Sequence, residues 1–139
     1  MNSTVFDCSV LELPKVHNIS GHITAINNGE KILPFDIKRL YYIYDIPGGE
    51  SRGAHAHREL EQLIIAASGS FDITLDDGKT RRTFNLSRPY LGVYMPAGLW
   101  RELDNFSSGA ICLVLASKRY NKHDYIRDYE EFKSLKQVL

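Results

Sequence analysis

Residues 70–86 read SFDITLDDGKTRRTFNL, with Phe71, Ile73 and Leu75 alternating against Asp72, Thr74 and Asp76 before the pair Asp77-Gly78. Alternation of period two gives a strand one apolar and one wet face, and Asp-Gly is a strong signal for a two-residue hairpin turn. The same grammar runs from about residue 10 to residue 116. There IKRLYYIYDI, YLGVYMP and AICLVLAS are short runs rich in β-branched, aromatic and aliphatic residues, separated by Gly, Pro, Asn or Asp. Many short strands without helical crossovers predict a mainly β fold, an antiparallel sandwich or small barrel. Only the tail changes period. Ile126, Tyr129, Phe132 and Leu135 recur at helical spacing, which predicts one C-terminal helix over about 125–137 capped by Asp124.

A chain of 139 residues is expected to form a single domain. Its 17 Lys plus Arg balance 17 Asp plus Glu, so no bulk field favours nucleic acid or an anionic membrane. An anionic ligand has to be met by a local cluster. Cys8 and Cys112 fit no metal-binding spacing and are expected to be reduced thiols. The first residues, MNSTVFDCSVLELPKVHN, lack the basic and apolar segments of a secretion signal, and no apolar run reaches membrane-spanning length. A cytoplasmic protein is expected. Residues 1–34 carry apolar runs at SVLEL and HITAI but too little else to build a core. They are expected to act as an arm on the sheet of a second copy, giving a two-fold homodimer.

The stretch RGAHAHRELEQ, residues 52–62, holds two histidines two residues apart. On a strand such residues project from one face, about 6–7 Å apart. His55 and His57 therefore share a face, and Ala54 and Ala56 share the other. Side by side, two imidazoles either bind a metal together or divide proton-transfer work.

Glu61 follows four residues after His57, and GVYMPAGLWRELDN supplies Gly92, Pro96, Gly98 and Asn105. Over residues 53–105 this resembles the two motifs of the cupin superfamily, small β-barrels with HxH and Glu in the first motif and a third histidine in the second. That second motif normally reads Pro-x-Gly-x-x-His, and here Arg101 stands at the histidine position. A guanidinium stays protonated and has no lone pair to donate, so Arg101 is no metal ligand. A two-His, one-carboxylate centre from His55, His57 and Glu61 stays open. The other reading gives the histidines to proton chemistry and Arg101 to an anion, either a phosphate or a developing enolate.

Moving a sugar carbonyl from C4 to C3 asks for that equipment. A base takes the C3 proton, an enediolate survives, a proton returns at C4, and a third proton passes from the C3 oxygen to the C4 oxygen. Two imidazoles suit this division, and Arg52 and Arg101 are the cations nearest to them by motif. Aromatic residues in LYYIYD and GLW are candidates for a platform under a nucleobase.

The blocks IKRLYYIYD, RGAHAHRELEQ, SGSFDITLDDG, GVYMPAGLWRELDNFSSGAICLVLAS and HDYIRDYEEF are similar to those of the nucleotide-linked 4-keto-6-deoxyhexose 3,4-ketoisomerases. The match covers residues 35–133. This resemblance implies an enzyme acting on dTDP-4-keto-6-deoxyglucose without metal or organic cofactor, feeding synthesis of a 3-amino-3,6-dideoxyhexose. It implies His55 as the base at C3, His57 as the shuttle between the two oxygens and Arg52 as a catalytic cation. It further implies substrate contacts from Arg39, Tyr41, Gln62, Trp100 and Arg101, and a dimer with an exchanged N-terminal segment. Relatives often carry Arg-Gly where this chain has Ser20-Gly21, which passes that arginine's task to a group such as Arg39. Rival readings are a 3,5-epimerase of related barrel shape, a metal-dependent cupin oxygenase and a non-catalytic sugar-nucleotide binding module.

Overall fold

The period-two runs form antiparallel strands in a computed structural model that describes residues 1–137. In chain order the strands are β1 (Ser9–Glu12), β2 (Lys15–Asn18), β3 (Gly21–Thr24), β4 (Arg39–Ile43), β5 (Arg52–His57) and β6 (Gln62–Ser68). They continue with β7 (Phe71–Asp76), β8 (Arg81–Leu86), β9 (Leu91–Met95), β10 (Trp100–Asp104), β11 (Ile111–Ala116) and β12 (Tyr125–Ile126), followed by one helix, α1 (Tyr129–Gln137). Two five-stranded sheets, ordered β1-β9-β6-β11-β4 and β12-β5-β10-β7-β8, face each other, and β2-β3 forms a separate hairpin. This is the mainly β, antiparallel architecture that the alternation predicts, and it agrees with the cupin resemblance of the motifs.

Alternation decides which side chains meet between the sheets. Ile64, Ala66, Val93, Cys112 and Val114 come inward from the first sheet, and Phe71, Ile73, Leu75 and Leu103 from the second. The outer face of the first sheet is apolar as well, through Leu63, Ile65 and Leu115, and residues of the 26–37 segment such as Leu33 and Phe35 cover it. On the outer face of the second sheet, Ala56, Trp100 and Ile126 lie under Phe132 of α1. Both cysteines are free and buried.

Three expectations change in detail. The hairpin at Asp77-Gly78 has a four-residue loop, because Asp76 pairs with Arg81 across β7 and β8. The Asp77 carboxylate organises that loop by accepting the backbone N–H of Lys79 and Thr80 at 2.9 and 2.7 Å, and of Val5 at 3.1 Å. The helix starts at Tyr129 rather than 125, since Tyr125 and Ile126 pair with His57 and Ala56 as a short strand. Its cap is Asp128, which accepts from the N–H of Glu131 at 3.2 Å, and Asp124 is spent elsewhere.

Within residues 1–34 the segments have different surroundings. Val5 and Cys8 sit in this chain's own core, β1 pairs with β9, and residues 26–37 cover a sheet. Only the β2-β3 hairpin stands clear, exposing Val16, Ile19 and Ile23.

Phe132 is fully buried, in contact with the outer face of the second sheet. Phe132→Ala is expected to remove about 3–5 kcal/mol of stability. Urea denaturation checks this, and an unchanged midpoint would show that α1 contributes nothing to holding the sheet.

Candidate active site

Strand β10 lies between β5 and β7, and its register sets Arg101 directly opposite His55 and Trp100 opposite Ala56. Side-chain parity therefore sends His55, His57 and Arg101 to the inner face and Ala56 and Trp100 to the outer one. Beyond Arg101 the pairing slips, with Leu103 opposite Arg52, so β5 carries one extra residue. Gly53 sits in this bulge at φ +72°, and a Cβ there would stand 3.0 Å from Arg101 Nη2. Glycine thus serves twice, allowing the left-handed backbone and leaving room for the guanidinium.

The imidazoles meet edge to face, with ring centroids 4.8 Å apart, and their Nε2 atoms are 3.1 Å from each other. At that separation one of the two nitrogens carries the proton. Arg101 Nη2 is 3.4 Å from His55 Nε2, and its Nη1 donates to Gln62 Oε1 at 2.8 Å. Gln62 Nε2 in turn donates to the Tyr41 hydroxyl at 3.2 Å. On the far side of His57, Asp124 Oδ2 is 3.4 Å from Nδ1, a distance without hydrogen-bond alignment.

Arg101 is only 2% exposed, its Nε lacks a partner, and among the described residues no carboxylate lies within ion-pair distance of it. A buried cation without a counter-ion is costly unless an anion arrives. Burial, then the charges of Arg101, His57 and Arg127, push the His55 pKa down to about 2. Burial and Arg101 also push His57 down, to about 4, while Asp124 pulls the other way. Both imidazoles are neutral at neutral pH and available as proton acceptors.

His55 and Arg101 open onto a cavity of about 520 Å³, the size of a small-ligand site. Four arginines line it, Arg39, Arg52, Arg101 and Arg127, together with four tyrosines and no carboxylate among the described residues. A chain of zero net charge therefore presents the local cationic cluster that an anionic ligand needs.

Of the residues singled out from sequence, Arg39, Tyr41, Arg52, His55 and Arg101 reach this cavity. His57 and Gln62 stand directly behind it, hydrogen-bonded to its members. Trp100 does not reach it. Its ring packs on Tyr129 and Phe132 and its Nε1 donates to Glu102, because odd and even positions of β10 face opposite ways. Glu61 is also elsewhere, accepting from the Tyr94 hydroxyl at 2.5 Å. A metal does not fit these residues: the carboxylate of the open triad is turned away and a guanidinium stands beside His55. Among the described residues no group of three His, Cys, Asp or Glu is arranged to hold one.

Sequence reasoning missed Asp124, Tyr125 and Arg127. Tyr125 stacks within 4.3 and 5.0 Å of the two imidazole rings, and Arg127 lies over Tyr125 at 4.4 Å. The signal was the HDYIRDYEEF block, whose helical period hid a short strand at its start.

The WxcM-like, C-terminal family (FdtA) matches residues 6–137. The TDP-4-oxo-6-deoxy-alpha-D-glucose-3,4-oxoisomerase of Aneurinibacillus thermoaerophilus is 42% identical over 124 residues, covering 89% of this chain and 88% of that one. The chain belongs to the sugar-nucleotide 3,4-ketoisomerase family. The crystal structure of the WlaRB TDP-quinovose 3,4-ketoisomerase from Campylobacter jejuni is similar with a TM-score of 0.86 and 47% identity, over 92% of this chain and 98% of that one. A mutant of the 3,4-ketoisomerase QdtA from Thermoanaerobacterium thermosaccharolyticum, in complex with TDP-4-keto-6-deoxyglucose, gives 0.91 and 33% over 98% and 99%.

For this member of the 3,4-ketoisomerase family, neutral imidazoles have a thermodynamic consequence. Unfolded, His55 and His57 protonate near the ordinary value of about 6.5, whereas folded they refuse the proton until far lower pH. Their contribution is intact above pH ~6.5 and is lost as pH falls toward their folded values, at up to ~1.4 kcal/mol per pH unit for each histidine. Denaturation at pH 7, 6, 5 and 4 tests this. A double His55→Asn, His57→Asn variant is expected to flatten the slope over that range, and an unflattened slope would assign it to other groups.

Proposed function

We propose that this chain moves the keto group of dTDP-4-keto-6-deoxyglucose from C4 to C3 through an enediolate, with its own side chains handling the protons. The observation that carries the reading is the 3.1 Å contact between two neutral imidazoles beside a buried, unpaired guanidinium.

His55, which lines the cavity, takes the C3 proton. Electron density then moves onto the C4 oxygen, and the buried Arg101 charge stabilises it. His57 accepts the proton of the C3 hydroxyl and delivers it to the C4 oxygen, while His55 releases the C3 proton to solvent and a proton from solvent arrives at C4. Atoms balance, since one hydrogen leaves C3 and one arrives at C4. Arg39, Arg52 and Arg127 on the cavity wall suit the diphosphate, and Tyr41 with its neighbouring tyrosines suits the base or sugar.

A 3,5-epimerase would leave the ketone at C4, and a binding module would need no pair of bases. Incubation of substrate in D₂O followed by NMR therefore tests the reading by locating the ketone and the deuterated carbon. The His55→Asn protein should lose turnover by about 10²-fold or more while staying folded. His57→Asn should still exchange the C3 hydrogen yet form little 3-keto product. Loss of exchange in both would sink the division of roles.

For assembly, the exposed apolar side chains of the β2-β3 hairpin support a homodimer in which this hairpin contacts a second copy. Ile19, fully exposed at its tip, is the sharpest probe. Ile19→Asp together with Val16→Asp should weaken association in analytical ultracentrifugation without unfolding the barrel, and unchanged dimer mass would place the interface elsewhere.

A further inference from the structure

His57 is 2% exposed, and its two ring nitrogens face opposite kinds of group. On the Nδ1 side stands the Asp124 carboxylate, 3.4 Å away, an acceptor with no proton of its own. On the Nε2 side stands the Gln62 amide nitrogen at 3.5 Å, alongside His55. The orientation of that amide is fixed, because its oxygen receives Arg101 Nη1 at 2.8 Å, so nitrogen points toward His57 as a donor. A carboxylate close to one nitrogen, though not aligned for a hydrogen bond, and a donor at the other favour a single neutral tautomer.

The carboxylate is itself held. Asp124 Oδ1 accepts the backbone N–H of Glu59 at 2.8 Å, and Oδ2 accepts that of Leu60 at 3.2 Å. Its main chain is tied on both sides, with Arg58 N–H donating to its carbonyl and its own N–H donating to Asn121, each at 3.0 Å. The side chain thus sits directly before β12, strapped to the loop that follows β5, and has little freedom to leave His57. Around His57 the cations Arg101 and Arg127 oppose a proton, His55 competes for it, and Asp124 favours it.

We infer that Asp124 is a positioning residue for the reaction, fixing His57 with its proton on Nδ1 and leaving Nε2 as the acceptor that shuttles protons. The consequence for turnover rests on the ketoisomerase reading above; the tautomer does not. In the shuttle, the O–H bond at C3 breaks as Nε2–H forms, and Nε2–H then breaks as O–H at C4 forms. Nδ1 keeps its proton throughout, and Asp124 stabilises the transient imidazolium without being protonated. In the free chain the proton between the rings then belongs to His55 Nε2, and Arg101 Nη2, 3.4 Å from that nitrogen, has no acceptor there until His55 gives the proton up. A substrate hydroxyl that replaces His55 as donor to His57 lets His55 exchange to its other tautomer, with the Nε2 lone pair open to a carbon acid.

The test is long-range ¹H–¹⁵N NMR on the histidine-labelled full chain, with the His57→Asn spectrum assigning the His57 signals. Wild type should show His57 protonated at Nδ1 and bare at Nε2. In Asp124→Asn, with the amide nitrogen placed at the present Oδ2 position, a donor faces Nδ1, and His57 should switch to the Nε2-protonated form. That variant should still exchange the C3 hydrogen but form 3-keto product about 10²–10⁴-fold more slowly. Its affinity for TDP should stay near wild type, while its melting temperature should fall modestly, since the amide nitrogen no longer accepts the N–H of Leu60. A wild-type His57 protonated at Nε2, or an unchanged tautomer in folded Asp124→Asn, overturns the inference. If the variant fails to fold, the wild-type spectrum alone decides. Should the wild type make no 3-keto product, the functional reading falls while the spectrum still reports on Asp124.

Discussion

A guanidinium buried to 2% exposure, paired across two strands with a histidine, governs the chemistry of this barrel. Taking a charge out of water is expensive, and Arg101 recovers part of that through one good hydrogen bond to Gln62 rather than through a carboxylate. The remaining field falls on its neighbours. Together with burial, the larger cause, it keeps both imidazoles neutral, so they accept protons, and it opposes any cation beside them. It also attracts negative charge, the property that an enolate oxygen requires. Arginine in place of a ligand-type histidine thus makes this position ill suited to a metal and well suited to an anion.

Holding that charge in place shapes much of the second sheet. Gly53 gives up its side chain so that the guanidinium can pass, and the bulge it creates lets β5 leave the β10 register just beyond the histidines. On the opposite face, Trp100 and Ala56 are clamped under α1, which prevents β5 and β10 from sliding. Alternation makes the two faces separable: Ala56 and Trp100 meet the helix, while His55, His57 and Arg101 turn inward. Gln62, first residue of β6 on the other sheet, links the two sheets through Arg101 and Tyr41.

Much of this was legible in the sequence. Period-two runs announce the strands, the spacing of His55 and His57 places them on one face, and the Pro-x-Gly-x-x-Arg pattern puts Arg101 at the same mouth. What escaped were matters of which face or which partner. Trp100 lies one residue from Arg101, and motif proximity drew it to the substrate although strand parity turns it away. Glu61 follows the histidines closely in sequence but belongs to the loop after β5, where the strand alternation no longer applies. Asp124 was read as a helix cap because aspartate before a helical period ordinarily is one. Its real partners, the amides of Glu59 and Leu60, are more than sixty positions away and no local rule reports them.

Net charge was the least informative number and the cavity explains why. Seventeen basic and seventeen acidic side chains cancel over the whole chain, yet none of the acidic ones lines the cavity among the described residues. Several acidic groups are committed outside it: Asp76 and Glu102 to Arg81, Glu131 to Arg58, Glu59 to Lys118. The four arginines of the cavity differ in depth. Arg52 and Arg127 are exposed, so salt screens them and their pull on an approaching diphosphate reaches about 10 Å at ordinary ionic strength. Arg101 is enclosed, where screening is weak and the same charge acts at full effect on its neighbours. Depth rather than count divides the capture of an anionic ligand from the stabilisation of a transient one.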